Sequence, residues 1–314
     1  MPKTEYEIEL RNLRKPELKG IVVPMVTPFK SDKSQDLDKE RLRDLVDFLI
    51  GSKVHGLMPC GGTGESVSLS QEENKRVIEL TVEEARGRVP VIGGAKSPGT
   101  KLSIKLAKDA KDAGADGVLV IGPYYNEPIT EQGYYEHFRA VAEEADIPVL
   151  AYNLPRMQGR DIPLSVISRL AELENIVALK NATSNLLHVT EAIAICKKWG
   201  MSYMQGLAPM FLPSLALGSQ GSITSALNIA PALFVDLFNF FVNGDTESAR
   251  DLNEKLLPLM KLGGSAVMVK AALEIIGHPM GPPRQPLMPA DDNEKRKIAS
   301  VLSALNLMPI QATT

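Results

Sequence analysis

The residue best placed to do chemistry is Lys180, which follows the apolar run Ile176, Val177, Ala178, Leu179. Such a run reads as a strand buried on both faces, so the ammonium sits at the rim of a dry interior. Desolvation disfavours the charged form of an amine, and a lysine there carries a lowered pKa. A neutral amine attacks carbonyls and forms a Schiff base, which then serves as an electron sink. The competing reading is a lysine that reaches solvent or pairs with an acid such as Glu65.

Two further features fit that chemistry. Imine formation and carbon–carbon cleavage both need protons moved beside the amine, and a tuned phenol can move them. Tyr152 closes the preceding apolar run, "IPVLAYN" (147–153), so it belongs on the strand next to that of Lys180. Taken alone, it would read as a buried tyrosine with a satisfied hydroxyl. The loop "GGTGES" (61–66) has small residues that let backbone N–H groups approach an anion, and Thr63 adds a hydroxyl. It is neither a Walker loop nor G-x-G-x-x-G, so a carboxylate suits it at least as well as a phosphate.

Apolar runs that must position these groups recur at 20–29, 55–60, 89–95, 117–122, 147–153, 175–181, 202–206 and 221–226. Helical spacing fills the intervals, as in Leu42, Leu45, Val46, Phe48 and Leu49. Ser70 and Glu73 make a capping box at one helix start. "SIKLAKDAKDAGADG" (103–117) ends a helix on glycine. Eight strand–helix alternations imply a parallel sheet, either doubly wound or closed, and the count favours an α/β fold of the (β/α)8 TIM-barrel type. Active-site groups then lie at the C-terminal strand ends, with strand 1 ending at Thr27 and strand 4 at "PYYNEP" (123–128). The expected division is an N-terminal extension over 1–19 that packs on the surface or frays, a barrel over 20–243 and a C-terminal helical appendage over 244–314. Three further helices fall in that appendage.

Net charge is −3 and the chain is 44% hydrophobic over 314 residues, with acids and bases interspersed. That gives no basic footprint for nucleic acid, and no apolar run reaches the ~18 residues of a membrane span. The charged N-terminus has no apolar core of a secretory signal. Two cysteines, Cys60 and Cys196, suit a reducing, cytoplasmic setting, and Cys60 reads as structural although it adjoins the glycine loop. The four histidines lack ligand spacing, so no metal site is expected.

From "GIVVPMVTPF" through "GGTGES", "PYYNEP", "AYNLP" and "ALKNAT" to "GSITSALN", the chain resembles the dihydrodipicolinate synthase/N-acetylneuraminate lyase family of class I aldolases. The likeness spans nearly the whole barrel in order and spacing. It implies a homotetramer (a dimer of dimers) that joins pyruvate to an aldehyde, or splits the product, without metal or organic cofactor. By the same resemblance Lys180 forms the Schiff base with a 2-oxo acid, and Tyr152 donates and accepts the proton. Thr63 and the backbone at Gly62 hold the carboxylate, and Gly206 and Ile223 line the floor. Tyr125 reaches across a tight dimer interface toward the neighbouring site.

Departures from the family pattern bear on the substrate. Gly62 stands where dihydrodipicolinate synthases carry the first threonine of a hydroxyl relay. Arg156 stands one place before their carboxylate-binding arginine, with Met157 in its position, which would aim its side chain elsewhere. Leu207 and Ala208 replace the acidic pair of N-acetylneuraminate lyases. "YNLPRMQGRDI" and the tail "GPPRQPLMPADDNEKR" look more like 2-keto-3-deoxy-sugar-acid aldolases. The expected activity is therefore cleavage of 2-keto-3-deoxygluconate or a related acid. Dihydrodipicolinate synthase stands second, and N-acetylneuraminate lyase or a family dehydratase third. A non-enzymatic 2-oxo-acid sensor gains support from Gly62 but leaves a nucleophilic amine without purpose. A phosphate- or nucleotide-dependent barrel would need basic residues in "GLAPMF" and "GSITSALN", which have none.

Overall fold

A computed structural model describes residues 15–308 except 126, 127 and 263. Residues 1–14 of the expected extension and 309–314 of the appendage lie outside the described residues. The strands are β1 (Gly20–Val23), β2 (Gly56–Leu57), β3 (Ile92–Gly94), β4 (Gly117–Ile121), β5 (Val149–Asn153), β6 (Ile176–Asn181), β7 (Ser202–Gln205) and β8 (Gly221–Ser222). All pair in parallel, and β1 bonds β8 on one side and β2 on the other. A parallel bridge between Leu57 and Val91 joins β2 to the start of β3 and all but closes the ring. β1 stops at Val23 rather than at Thr27, because Pro24 has no N–H to continue the ladder.

The helices packed around the ring are α1 (Lys39–Gly51), α2 (Gln71–Ala85), α3 (Thr100–Asp112), α4 (Glu131–Ala145), α5 (Pro155–Gln158), α6 (Leu164–Ala171), α7 (Leu186–Lys198), α8 (Phe211–Leu217) and α9 (Pro231–Val242). Ser70 and Glu73 form the reciprocal capping box that starts α2. The outer core lies between the strands and these helices. A separate inner cluster, including Val22, Met58, Leu119, Leu150, Val177 and Met204, fills the barrel. Inward side chains therefore make a floor rather than a pore.

At the N-terminal end of the ring, Leu18 joins the inner cluster, and its N–H donates to Ser202 Oγ at 3.0 Å. Lys15 Nζ donates to the carbonyls of Ala171, Leu173 and Ile176 at 2.7, 2.8 and 2.7 Å. These last residues of the extension thus seal the bottom of the barrel. Beyond α9 come α10 (Thr246–Lys261), α11 (Ala266–Ile275) and α12 (Asp292–Ala304), the three appended helices. No single described helix is long and apolar enough to cross a membrane.

The appendage reaches back to the mouth. Lys270 on α11 forms an ion pair with Glu65 of the glycine loop at 2.7 Å, and both side chains are buried. The Arg284 N–H donates to the same carboxylate at 2.7 Å, and the Arg284 guanidinium grips Glu73 through two bonds of 2.8 Å. Glu65 has a φ of +54°, a left-handed conformation that a non-glycine residue adopts at some cost. These contacts hold it there.

Candidate active site

Tyr152 and Lys180 are register partners on β5 and β6. Side chains alternate along a strand, so both project inward while Asn153 and Asn181 face the helices. Those asparagines are bonded together. Asn153 Nδ2 donates to Asn181 Oδ1 at 2.8 Å and to Asp161 Oδ1 at 2.7 Å. His188 Nε2 lies 3.0 Å from the Ile162 carbonyl, so it carries the proton. His188 Nδ1 is then free to accept from Asn181 Nδ2 at 3.3 Å. This network fixes the ends of β5 and β6, and hence the two inward groups.

Lys180 Nζ lies 4.3 Å from the centroid of the Tyr152 ring. Among the described residues it has no hydrogen-bond acceptor and no counter-ion. Burial, with the nearby charge of Lys96 as a second cause, brings its pKa down to about 7. Glu65, the acid considered as its partner, is taken by Lys270 instead. Burial raises the Tyr152 phenol above its ordinary value, with Arg156 opposing. A buried phenol that stays protonated can donate to a developing alkoxide.

One cavity of about 860 Å³ is lined by Lys180, Tyr152, Gly62, Thr63, Gly206 and Ile223. Glycine is required at 206 because a Cβ there would stand 2.8 Å from that of Ala182. In the glycine loop, the Glu65 and Ser66 N–H groups turn back to the carbonyls of Gly62 and Gly61. The N–H groups of Gly62 and Thr63 find no acceptor among the described residues and remain available to a guest. Cys60 beside the loop is fully buried, and burial raises its thiol, as expected of a structural cysteine.

Tyr125 is not brought into this cavity. It is 96% exposed at a φ of +62°, while the adjacent Tyr124 packs on the inner cluster. Arg156 corrects an expectation, since it lines the cavity despite standing one place out of register. Residues 155–158 form the helical turn α5. Neighbours on a helix differ by about 100° rather than the 180° of a strand, and a long guanidinium spans the difference. Lys96 was missed by the sequence reading. It follows β3, lines the same cavity and is buried, and its pKa is brought down to about 8 by burial and by Arg156. The signal was present, since Lys96 ends an apolar run as Lys180 does.

The model of the dihydrodipicolinate synthetase family matches residues 17–305. A 4-hydroxy-tetrahydrodipicolinate synthase of Methanothrix thermoacetophila is 39% identical over 291 residues, covering 92% of this chain and 97% of the relative. The crystal structure of dihydrodipicolinate synthase from Aquifex aeolicus is 36% identical with a TM-score of 0.87, covering 94% of this chain and 100% of that one. A monomeric dihydrodipicolinate synthase variant is 32% identical with a TM-score of 0.88, covering 93% and 98%. These names match the activity that the sequence places second, rather than the sugar-acid cleavage it places first. With the match extending from the seal at the bottom of the barrel to the last appended helix, the chain belongs to the dihydrodipicolinate synthetase family.

Proposed function

We propose that the protein is a pyruvate-dependent class I lyase that condenses the enamine of pyruvate with an aldehyde, in the manner of 4-hydroxy-tetrahydrodipicolinate synthases. The observation that carries this reading is Lys180, a buried amine with no partner among the described residues and with a pKa near 7, beside the ring of Tyr152. Such an amine is substantially uncharged at neutral pH and can attack a ketone. The relatives' names favour the synthase over the sugar-acid aldolase. The position of Arg156 answers one of the objections to it, because a cation does line the cavity where an anionic aldehyde would bind.

In this reading Lys180 Nζ adds to C2 of pyruvate, water leaves, and an iminium forms. Loss of a proton from C3 gives the enamine, whose C3 attacks the aldehyde carbon. Tyr152 carries protons to and from the reacting oxygens. The product leaves Lys180 by exchange with its own amine or with water. The imine is itself the electron sink, so no metal or organic cofactor is needed. Thr63 and the Gly62 N–H would hold the carboxylate, with Gly206 and Ile223 beneath. Tyr125, exposed in the single chain, would serve the site of a neighbouring copy in a homotetramer.

Incubation with pyruvate and borohydride, followed by peptide mapping, tests the reading. A reduced adduct confined to Lys180 is expected. Binding without any adduct would identify a sensor instead. A panel of aspartate semialdehyde, glyceraldehyde and N-acetylmannosamine then tests the partner. Turnover with glyceraldehyde but not aspartate semialdehyde would restore the sugar-acid reading.

A further inference from the structure

Lys96 has no assigned part in the chemistry above, yet its placement demands a reason. It is 8% exposed and lines the cavity that holds Lys180. Among the described residues its ammonium has neither a hydrogen-bond acceptor nor an acidic partner. A cation buried without compensation is costly, and such groups are retained where something else supplies the opposite charge. The other charged or titratable groups lining this cavity are Lys180, Arg156, Tyr152 and Glu65. Glu65 is already held by Lys270 and by the Arg284 N–H. Among the described residues the cavity therefore has an unmatched positive wall.

Gly62 explains how that wall is accommodated. Its φ is not in the left-handed region, so the backbone does not demand glycine. A Cβ at 62 would stand 3.3 Å from Lys96 Nζ, tighter than an ordinary contact. A larger side chain would contest the volume that the ammonium occupies. The missing side chain at 62 and the extra amine at 96 form one arrangement. It places a cation beside the unpaired N–H groups of the glycine loop.

We propose that Lys96 is the anion-binding residue of this site, its ammonium taking the carboxylate of the incoming 2-oxo acid in the space left by Gly62. The proposal rests on the reading that a 2-oxo acid is the substrate. A charge-assisted bond to the ammonium adds to those from the loop N–H groups. Arg156, further out on α5, is then left for the aldehyde. The Lys96 charge also disfavours protonation of Lys180, second to burial.

The test compares half-saturating concentrations for borohydride trapping of pyruvate and of methyl pyruvate, whose ester carries no negative charge. Lys96→Gln is expected to raise the value for pyruvate about tenfold, the worth of one charge-assisted hydrogen bond. The value for methyl pyruvate should shift by no more than about twofold, since no charge is read there and only the lesser influence of Lys96 on Lys180 is lost. Lys96→Met removes an uncompensated buried cation, so it folds at least as well and should give the same pattern. An unchanged value for pyruvate, or an equal rise for both ligands, in either folded variant would overturn the proposal. If the wild-type protein traps no pyruvate at all, the underlying lyase reading fails first, and that outcome is distinct.

Discussion

Lys180 at the barrel mouth and Lys270 under the C-terminal appendage are both buried lysines, 5% and 3% exposed, and they have opposite surroundings. Lys270 meets Glu65 at 2.7 Å and donates to the Pro282 carbonyl at 3.1 Å. Among the described residues Lys180 meets only the face of an aromatic ring. Lys15 belongs with Lys270, since three carbonyls surround its amine, and Lys96 belongs with Lys180. Burial lowers the pKa of all four, and Lys15 is brought to about 8, as Lys96 is. A lowered pKa therefore does not single out the amine that does chemistry. A missing partner among the described residues narrows the four to Lys180 and Lys96, and the phenol ring beside Lys180 separates the nucleophile from the other.

The contrast has measurable edges. Lys270→Met leaves the buried Glu65 carboxylate without its ion-pair partner, held by the Arg284 N–H, and should cost ~3–5 kcal/mol by denaturant titration. Adding Glu65→Gln should recover part of that loss, and a cost no larger than for a surface substitution would break the comparison. Lys15→Met orphans three carbonyls around the start of β6, with an expected cost of roughly 2–3 kcal/mol in the same titration. Lys180→Met should go the other way, abolishing the pyruvate adduct while stabilising the fold by about 1 kcal/mol. The sign follows from protons bound. Between its folded value of about 7 and the ordinary 10.5, the unfolded chain holds more protons at position 180, so stability rises with pH there. Stability against pH from 7 to 10.5 should be flatter in Lys180→Met than in wild type, and an unchanged slope would show that Lys180 finds a partner after all.

Much of this was legible in one dimension. All eight strands fall inside the apolar runs, and the capping box at Ser70 and the three appended helices lie where their patterns place them. Lys180 was legible because an apolar run rarely ends in an ammonium without cause. Strand lengths were not, since they depend on which N–H groups complete the ladder, as at Pro24. Arg156 lines the cavity although it stands one place out of register, because a helical turn and a long side chain absorb the shift, and the register alone does not reveal that. Lys96 ends its run behind the small residues Gly94 and Ala95, a weaker form of the signal that Leu179 gives before Lys180. That Lys96 and Lys180 find no partner among the described residues could not be read along the chain at all, because Glu65 is claimed by residues more than 200 positions away.

The clamp on Glu65 has a consequence for how this barrel could shrink. A chain cut after Val242 would retain the nucleophile, the phenol and the floor beneath them. It would also lose both groups that restrain the loop's left-handed corner, Lys270 and the Arg284 amide. The tail is thus a brace for the doorway, and evolution could not discard it without redesigning the entrance.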